Sequence, residues 1–387
     1  MKKITAIITL LLMLLASAPL DARKSSKTEV VTFLTTIDCK NCVRKVEAKL
    51  PFEKGVKDLK VDLQGKTVTL KYDPQKTDKE KLAEAIRKLG YEAEEVVSEE
   101  KKQSMYRILS KNVIAPGICR MEVEAPRLAA SALPGQFLIV RVREQGERIP
   151  LTICDYDRKA GTVSICTQAV GASTRMICAL EAGDSLQDVA GPLGVPSAFV
   201  GLGDEEILGR RFLFIAGGVG AAPVYPQVKY LHARGAIVHV IIGAKNADYV
   251  IFEDEMRAVC DRLEICTDDG SKGFKGLVTA CAQSLLEEGC FYDEAVAIGP
   301  MIMMKFVAKT LQPSLIPLTV SLNTIMVDGT GMCGACRVTV DGKTRFACVE
   351  GPEFDGYQVD YDEAMRRMGI YREAEIEADH KCKIGRG

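Results

Sequence analysis

The chain has 387 residues, more than a single core holds, so two or three domains are expected. It is 47% hydrophobic and 27% charged with a net charge of −1, which excludes a global pull towards nucleic acid or an anionic membrane. No run approaches the ~20 apolar residues of a bilayer-spanning helix, and 14 cysteines in so long a chain point to metal or redox use rather than a disulfide scaffold. The chain opens on Lys2 and Lys3, an apolar run from Ile4 to Ala16, and Ala16-Ser17-Ala18. That pattern reads as a secretory leader over 1–22, with a short buried helix or an interfacial anchor as the alternative.

Residues 28–97 read as one small unit. A β-rich run (Val30, Val31, Phe33) leads into Thr36-Ile37-Asp38-Cys39-Lys40-Asn41-Cys42, and Val43, Val46 and Leu50 then recur at helical spacing. Alternating strands over 56–63 and 67–72 are joined at Gln64-Gly65-Lys66. A second amphipathic helix over 78–89 (Leu82, Ala85, Ile86, Leu89) ends at Gly90, before a closing strand over 91–97. The order β-α-β-β-α-β predicts a ferredoxin-like sandwich. Cys39 and Cys42 enter a helix together, where its N-terminus favours thiolates that can share one soft cation such as Cu(I). A redox dithiol and a disulfide formed after export remain open. The unit resembles the heavy-metal-associated domain, with Thr36-Ile37 standing where that family usually has Gly-Met.

A charged linker over 98–104 precedes Met105, where a complete second pattern begins. Met105 leaves open that the front of the chain is a fused or misjoined reading frame. Short strands are expected at 106–113, 118–124, 137–142, 162–168 and 185–190, the spacing of an antiparallel barrel. Within it, Arg148-Ile149-Pro150-Leu151-Thr152 offers a guanidinium for a pyrophosphate and a hydroxyl for a flavin edge. Gly171, Ser173 and Thr174 precede an apolar helix, whose N-terminus is a phosphate cradle. Next, a continuous apolar strand over 211–216 runs into Gly217-Gly218-Val219-Gly220-Ala221-Ala222-Pro223, followed by a helix over 224–234 and a strand over 237–242. This is a βαβ unit with glycines at its first turn, placed for a pyrophosphate. Asp269 and Gly299-Pro300 each follow a further strand, at the carboxyl ends where ligands bind in such sheets. Lys245 could meet a 2′-phosphate, so NADH and NADPH both remain open.

The last constellation is Asp328, Cys333, Cys336 and Cys348, spaced Asp-x4-Cys-x2-Cys-x11-Cys in a glycine-rich loop. Its spacing is that of a plant-type 2Fe-2S site with Asp328 in the first position; zinc, or Asp328 as a plain turn residue, are the alternatives. The remaining cysteines, Cys119, Cys154, Cys166, Cys178, Cys260, Cys266, Cys281, Cys290 and Cys382, lack such spacing and read as small buried hydrophobes.

Barrel, glycine turn and cluster loop, in that order, resemble the ferredoxin-reductase superfamily. They resemble in particular the electron-transfer subunit of type B dihydroorotate dehydrogenase and, more closely, the alpha subunit of NADH-dependent ferredoxin:NADP oxidoreductase. The run from Phe346 through Cys348 and Pro352 to Gly356, and Tyr361–Arg367, are similar to the second group. The resemblance implies an antiparallel FAD barrel at 105–202, an α/β parallel-sheet NAD(P) domain at 203–312, a 2Fe-2S domain at 320–372 and a tail at 373–387. It implies an oxidoreductase passing hydride between NAD(P)H and FAD and single electrons through the cluster, with no catalytic side chain of its own. Ile298 stands where many relatives have a cysteine. The implied partner is a glutamate-synthase-small-subunit-like flavoprotein or, alternatively, a dihydroorotate dehydrogenase catalytic subunit, with ferredoxin as a further candidate. Such chemistry is cytoplasmic, in conflict with the leader. The contrasting expectation is a copper-binding protein whose task is set by residues 28–97.

Overall fold

The computed structural model describes residues 28–63, 65–96 and 106–383, the side chains of 381–383 excepted. The leader, the linker, Met105 and Gln64 lie outside the described residues. The chain divides near residue 99 into two compact units.

The first unit has the order β1 (Glu29–Thr35), α1 (Lys40–Glu47), β2 (Val56–Asp62), β3 (Thr67–Tyr72), α2 (Lys79–Lys88) and β4 (Ala93–Glu95). Its sheet runs β2-β3-β1-β4. Period-2 alternation turns Val31 and Phe33 of β1 and Val68, Leu70 and Tyr72 of β3 inward, against Val46 of α1 and Leu82 and Ile86 of α2. Asp78 caps α2, its carboxylate accepting the Lys81 N–H at 2.9 Å. Among the described residues the closing strand covers three, Ala93–Glu95, and Tyr91 and Glu92 precede it.

In the second unit, six strands form one antiparallel sheet: β5 (Ile108–Ala115), β6 (Ile118–Glu124), β7 (Phe137–Arg141), β8 (Ile149–Asp157), β9 (Thr162–Gln168) and β10 (Asp188–Leu193), in the order β10-β7-β8-β9-β6-β5. The edges are drawn together where Ile108 N–H donates to Asp184 O at 2.8 Å and Leu186 N–H to Tyr106 O at 3.1 Å. One element was not expected, α3 (Pro126–Ser131), which buries Leu128 and Ala129 over one end; β8 contains the run 149–152, whose plain reading is a strand, and extends it to Asp157. In β8, residues 149–152 pair only with β7 and residues 153–157 only with β9. The half containing Pro150 therefore has one open edge, which is where a residue without an N–H is tolerated in a sheet. After β9 comes α4 (Ala172–Ala179).

The third sheet is mostly parallel: β11 (Arg211–Gly217), α5 (Ala221–His232), β12 (Ile237–Ala244), β13 (Arg262–Thr267), β14 (Phe274–Lys275), α6 (Val278–Glu287), β15 (Glu294–Ile298), α7 (Met301–Leu311) and β16 (Leu318–Ser321). Phe212, Leu213, Phe214 and Ile215 of β11 are fully buried because helices cover both faces. The sheet continues past residue 312, the expected end of this domain. β16 and the antiparallel β19 (Glu353–Asp355) extend it, so the cluster region grows out of the same sheet. The β17 (Arg337–Val340) and β18 (Lys343–Phe346) hairpin and α8 (Tyr361–Met368) complete that region. The segment expected as a tail forms α9 (Arg372–Lys383), tied to α4 by Arg175 Nε donating to Asp379 at 2.8 Å.

Candidate cofactor and metal sites

Strand order β14-β13-β12-β11-β15-β16-β19 places the chain reversal between β11 and β15, the switch point at which open α/β sheets bind ligands. Gly217, Gly218 and Gly220 leave β11 there, and Gly299 and Pro300 leave β15. The two turns touch: a Cβ on Gly299 would lie 3.1 Å from the Gly217 Cα. A Cβ on Gly220 would overlap the carbonyl of Ile298, so this glycine serves backbone-to-backbone packing. Gly218 is the open one, at φ +55° with nothing within 4 Å of its would-be Cβ. Pro223 lies in the first turns of α5, which begins at Ala221 rather than at the expected Val224. Asp269 follows β13 in a turn held by its own carboxylate, which accepts the Ser271 N–H at 2.9 Å and hydroxyl at 2.6 Å. The Ser271 hydroxyl, ahead of its N–H, holds the Asp269 carboxyl below the ordinary value.

Around the barrel, the open edge of β8 presents Pro150, Leu151 and Thr152. Beside it, Thr174 Oγ1 accepts the N–H groups of Val170 at 3.0 Å and Gly171 at 2.9 Å, shaping the turn into α4. The first-turn N–H groups of a helix lack intrahelical partners and favour an anion. Ser173 is buried and its hydroxyl donates to Glu147, so in this structure it serves the loop before Arg148 rather than an open face. Arg148 reaches across to the far end of the sequence: Nε donates to Val327 O at 2.8 Å and Nη2 to Asp328 O at 3.4 Å.

In the cluster loop, Cys336 and Cys348 are buried with sulfurs 3.2 Å apart, and Cys333 is exposed. Burial, then the Cys336 neighbour, pushes the Cys348 thiol up to about 12. Gly329, Gly331 and Gly334 take φ values of 83°, 82° and 65°, the left-handed turns that curl the loop. The Asp328 carboxylate accepts the N–H groups of Thr330 at 3.0 Å and Met332 at 3.3 Å, and the Thr330 hydroxyl. It thus ties the loop to itself. Among the described residues, the four are not drawn into one tight donor group. Among the described residues the one such group is Asp38, Cys39 and Cys42, whose ligand atoms lie within 4.8 Å of one another.

That group sits at the start of α1. Cys39 is its N-cap, its sulfur accepting the Cys42 N–H at 3.3 Å, and the Cys42 thiol donates to Asp38 Oδ1 at 3.4 Å. Hydrogen bonding from Cys39, then from the Tyr91 hydroxyl, holds Cys42 below the ordinary thiol value. Cys39 is raised by the same pairing, and Tyr91 is pushed up to about 12. Asp38 and Tyr91 were not among the expected site residues. Adjacency to Cys39 was the available signal for Asp38, whereas Tyr91 arrives only through the fold.

Comparison with known proteins agrees with these two units. Residues 32–92 match the heavy-metal-associated domain, and residues 323–360 match the iron-sulfur cluster binding domain of dihydroorotate dehydrogenase B. An uncharacterized protein of Clostridium beijerinckii is 52% identical over 282 residues, covering 73% of this chain and 95% of that protein. The Thermotoga maritima homolog of the dihydroorotate dehydrogenase B (NAD(+)) electron transfer subunit is 43% identical over 272 residues, 70% of this chain and 93% of that protein. The chain belongs to this family of electron-transfer subunits and their homologues. A solved family structure, the NADH-dependent reduced ferredoxin-NADP oxidoreductase studied for flavin-based electron bifurcation, superposes with a TM-score of 0.67 and 40% identity. It covers 72% of this chain and 98% of that one. Among the described residues, no helix is long and apolar enough to cross a membrane.

Proposed function

We propose that residues 106–372 work as an NAD(P)H-linked electron-transfer subunit holding FAD and a 2Fe-2S cluster and passing electrons to or from a partner flavoprotein. The observation that supports this reading is that Arg148, immediately before the open edge of β8, bonds the cysteine loop, in the same compact unit as the switch-point glycine turn. Bound flavin and cluster would supply the conversion of a hydride pair into single electrons. Gly218 leaves its backbone bare for a dinucleotide pyrophosphate, and Gly217 and Gly220 let the two nucleotide turns close on one another. Arg148, Gly171, Ser173 and Thr174 would hold or shape the flavin phosphate site, with Pro150, Leu151 and Thr152 along its ring. Asp269, Gly299 and Pro300 border the nicotinamide. Asp328, Cys333, Cys336 and Cys348 would hold the cluster, with the Cys336 and Cys348 sulfurs already 3.2 Å apart.

The preferred partner is a glutamate-synthase-small-subunit-like flavoprotein, with a dihydroorotate dehydrogenase catalytic subunit as the alternative and ferredoxin as a further exchange partner. The dihydroorotate dehydrogenase alternative draws on the match at residues 323–360. The reductase unit would work in the cytoplasm. A second reading, for the first unit alone, is soft-metal binding by Cys39 and Cys42, favoured by their joint grouping with Asp38. The deciding experiment is anaerobic titration of the purified chain with NADH and NADPH. Flavin bands and a cluster shoulder that bleach with one of them are expected; protein lacking flavin after reconstitution would overturn the reading.

A further inference from the structure

We propose that Arg148 is a positioning residue for the iron–sulfur loop, in addition to any part it plays at the flavin phosphate. This rests on the reading of Asp328, Cys333, Cys336 and Cys348 as the cluster ligands.

Arg148 stands immediately before β8, on the barrel. Its guanidinium spans two consecutive carbonyls at the base of the cluster loop, Val327 O at 2.8 Å through Nε and Asp328 O at 3.4 Å through Nη2. Asp328 is the first ligand position, so the fork grips the backbone of a ligand residue from 180 positions away in the chain. The loop needs such a grip. Residues 322–336 contain no strand or helix, so no ladder sets their path. Inside the loop the Asp328 carboxylate gathers the N–H groups of Thr330 and Met332, which fixes its curl but not its place on the barrel. Gly329 packs close to the barrel, its would-be Cβ 2.8 Å from Leu193 Cδ1, and Arg148 supplies the directional bonds beside that contact.

The chemistry of the side chain suits both tasks at once. A guanidinium has five N–H donors in a rigid plane. Two are directed to the loop carbonyls, and Nη1 lies 3.7 Å from Asp188 Oδ2 on β10, leaving donors for an anion on the barrel side. The planar fork matches two neighbouring oxygens, which a lysine ammonium, a single point of charge, does not reproduce. A fixed cation held against the backbone of a cluster ligand also lowers the energy of added negative charge on the cluster, so the same contact both places the loop and tunes its reduction.

The test uses the full-length holoprotein with excess FAD, comparing wild type with Arg148→Lys and Arg148→Gln. Cluster properties are read directly: electron paramagnetic resonance after dithionite reduction, midpoint potential, and the rate of iron loss to a chelator. Dithionite reduces the cluster without passing through the flavin, so flavin loss in a variant does not mask the result. Arg148→Gln is expected to shift the spectrum, lower the potential and lose iron severalfold faster. Arg148→Lys should keep more of the potential than Arg148→Gln but still lose iron faster than wild type. Asp188→Asn, which leaves both loop bonds in place, should match wild-type iron retention. Wild-type spectra, potential and iron loss in both Arg148 variants would overturn the proposal. Absence of any 2Fe-2S signal in the wild-type protein would instead overturn the ligand reading beneath it.

Discussion

Cys39 and Cys42 lie at the start of one helix, with Cys39 exposed and both sulfurs placed by local geometry. Cys336 and Cys348 stand 12 residues apart, both buried, and meet only because the β17–β18 hairpin folds back between them. The first pair is positioned by one helix start, with Tyr91 the partner that the fold adds, as suits an ion that arrives and leaves. The second is enclosed by Phe137, Ile139, Met326 and Ala347, as suits a permanent group shielded from water. A donor set made by local helix geometry can be exchanged between chains at little structural cost, whereas one made by tertiary packing is inseparable from its domain.

The sharpest way to break this contrast is to remove one sulfur from each site in the full chain. Cys348→Ser should abolish cluster iron while leaving the Cu(I) stoichiometry of the first unit untouched. Cys42→Ser should lose most Cu(I) affinity with cluster iron unchanged. Iron content and competition titration check both, and cross-effects in either direction would show that the two sites are not independent.

Gly220→Ala comes next in size. Its methyl would overlap the Ile298 carbonyl, a backbone atom that cannot rotate away. A loss of about 3 kcal/mol is expected, with flavin reduction by NADH impaired and melting of the first unit unaffected. Urea unfolding followed by flavin release reads it.

A pH effect should likewise be confined to the second unit. Glu353 on β19 accepts hydrogen bonds from Ser197 at 3.0 Å and Gln227 at 2.9 Å, joining barrel, α5 and cluster region. Burial, only partly offset by those two donors, pushes its carboxyl up to about 7. An unfolded glutamate titrates near 4.3. Between these values the folded state holds more protons than the unfolded one, so stability falls as pH rises through that window and is level on either side. The fall should be on the order of 2 kcal/mol and vanish in Glu353→Gln, as measured by unfolding at pH 5 and pH 7.5.

The smallest expected change sharpens the role of Asp328. Asp328→Cys restores the plant-type spacing and should keep an assembled cluster, its potential moved by tens of millivolts or more. Asp328→Ala removes both the ligand position and the anchor for the Thr330 and Met332 N–H groups, and should assemble poorly. Unchanged iron content, spectrum and potential in Asp328→Ala would leave this carboxylate a turn residue only.

Hydrophobic periodicity, glycine turns and cysteine spacing are written locally, and these by themselves determined the order of the domains, the βαββαβ unit, the apolar strand before Gly217 and the cysteine positions. What they could not contain is which separated segments meet. The run around Pro150 reads plainly as a strand, but only the split pairing of β8 with β7 and β9 shows why a proline is tolerated there. The sheet ran past residue 312 because β19 returns to it from beyond the cluster loop. Ser173, read as part of a phosphate cradle, turns inward to Glu147. Arg148 and Asp328 looked unrelated by distance along the chain, yet share a hydrogen bond. Short-range patterns follow from backbone and burial preferences within a few residues, whereas closure of barrel, sheet and cluster loop depends on side chains that only the folded chain brings together.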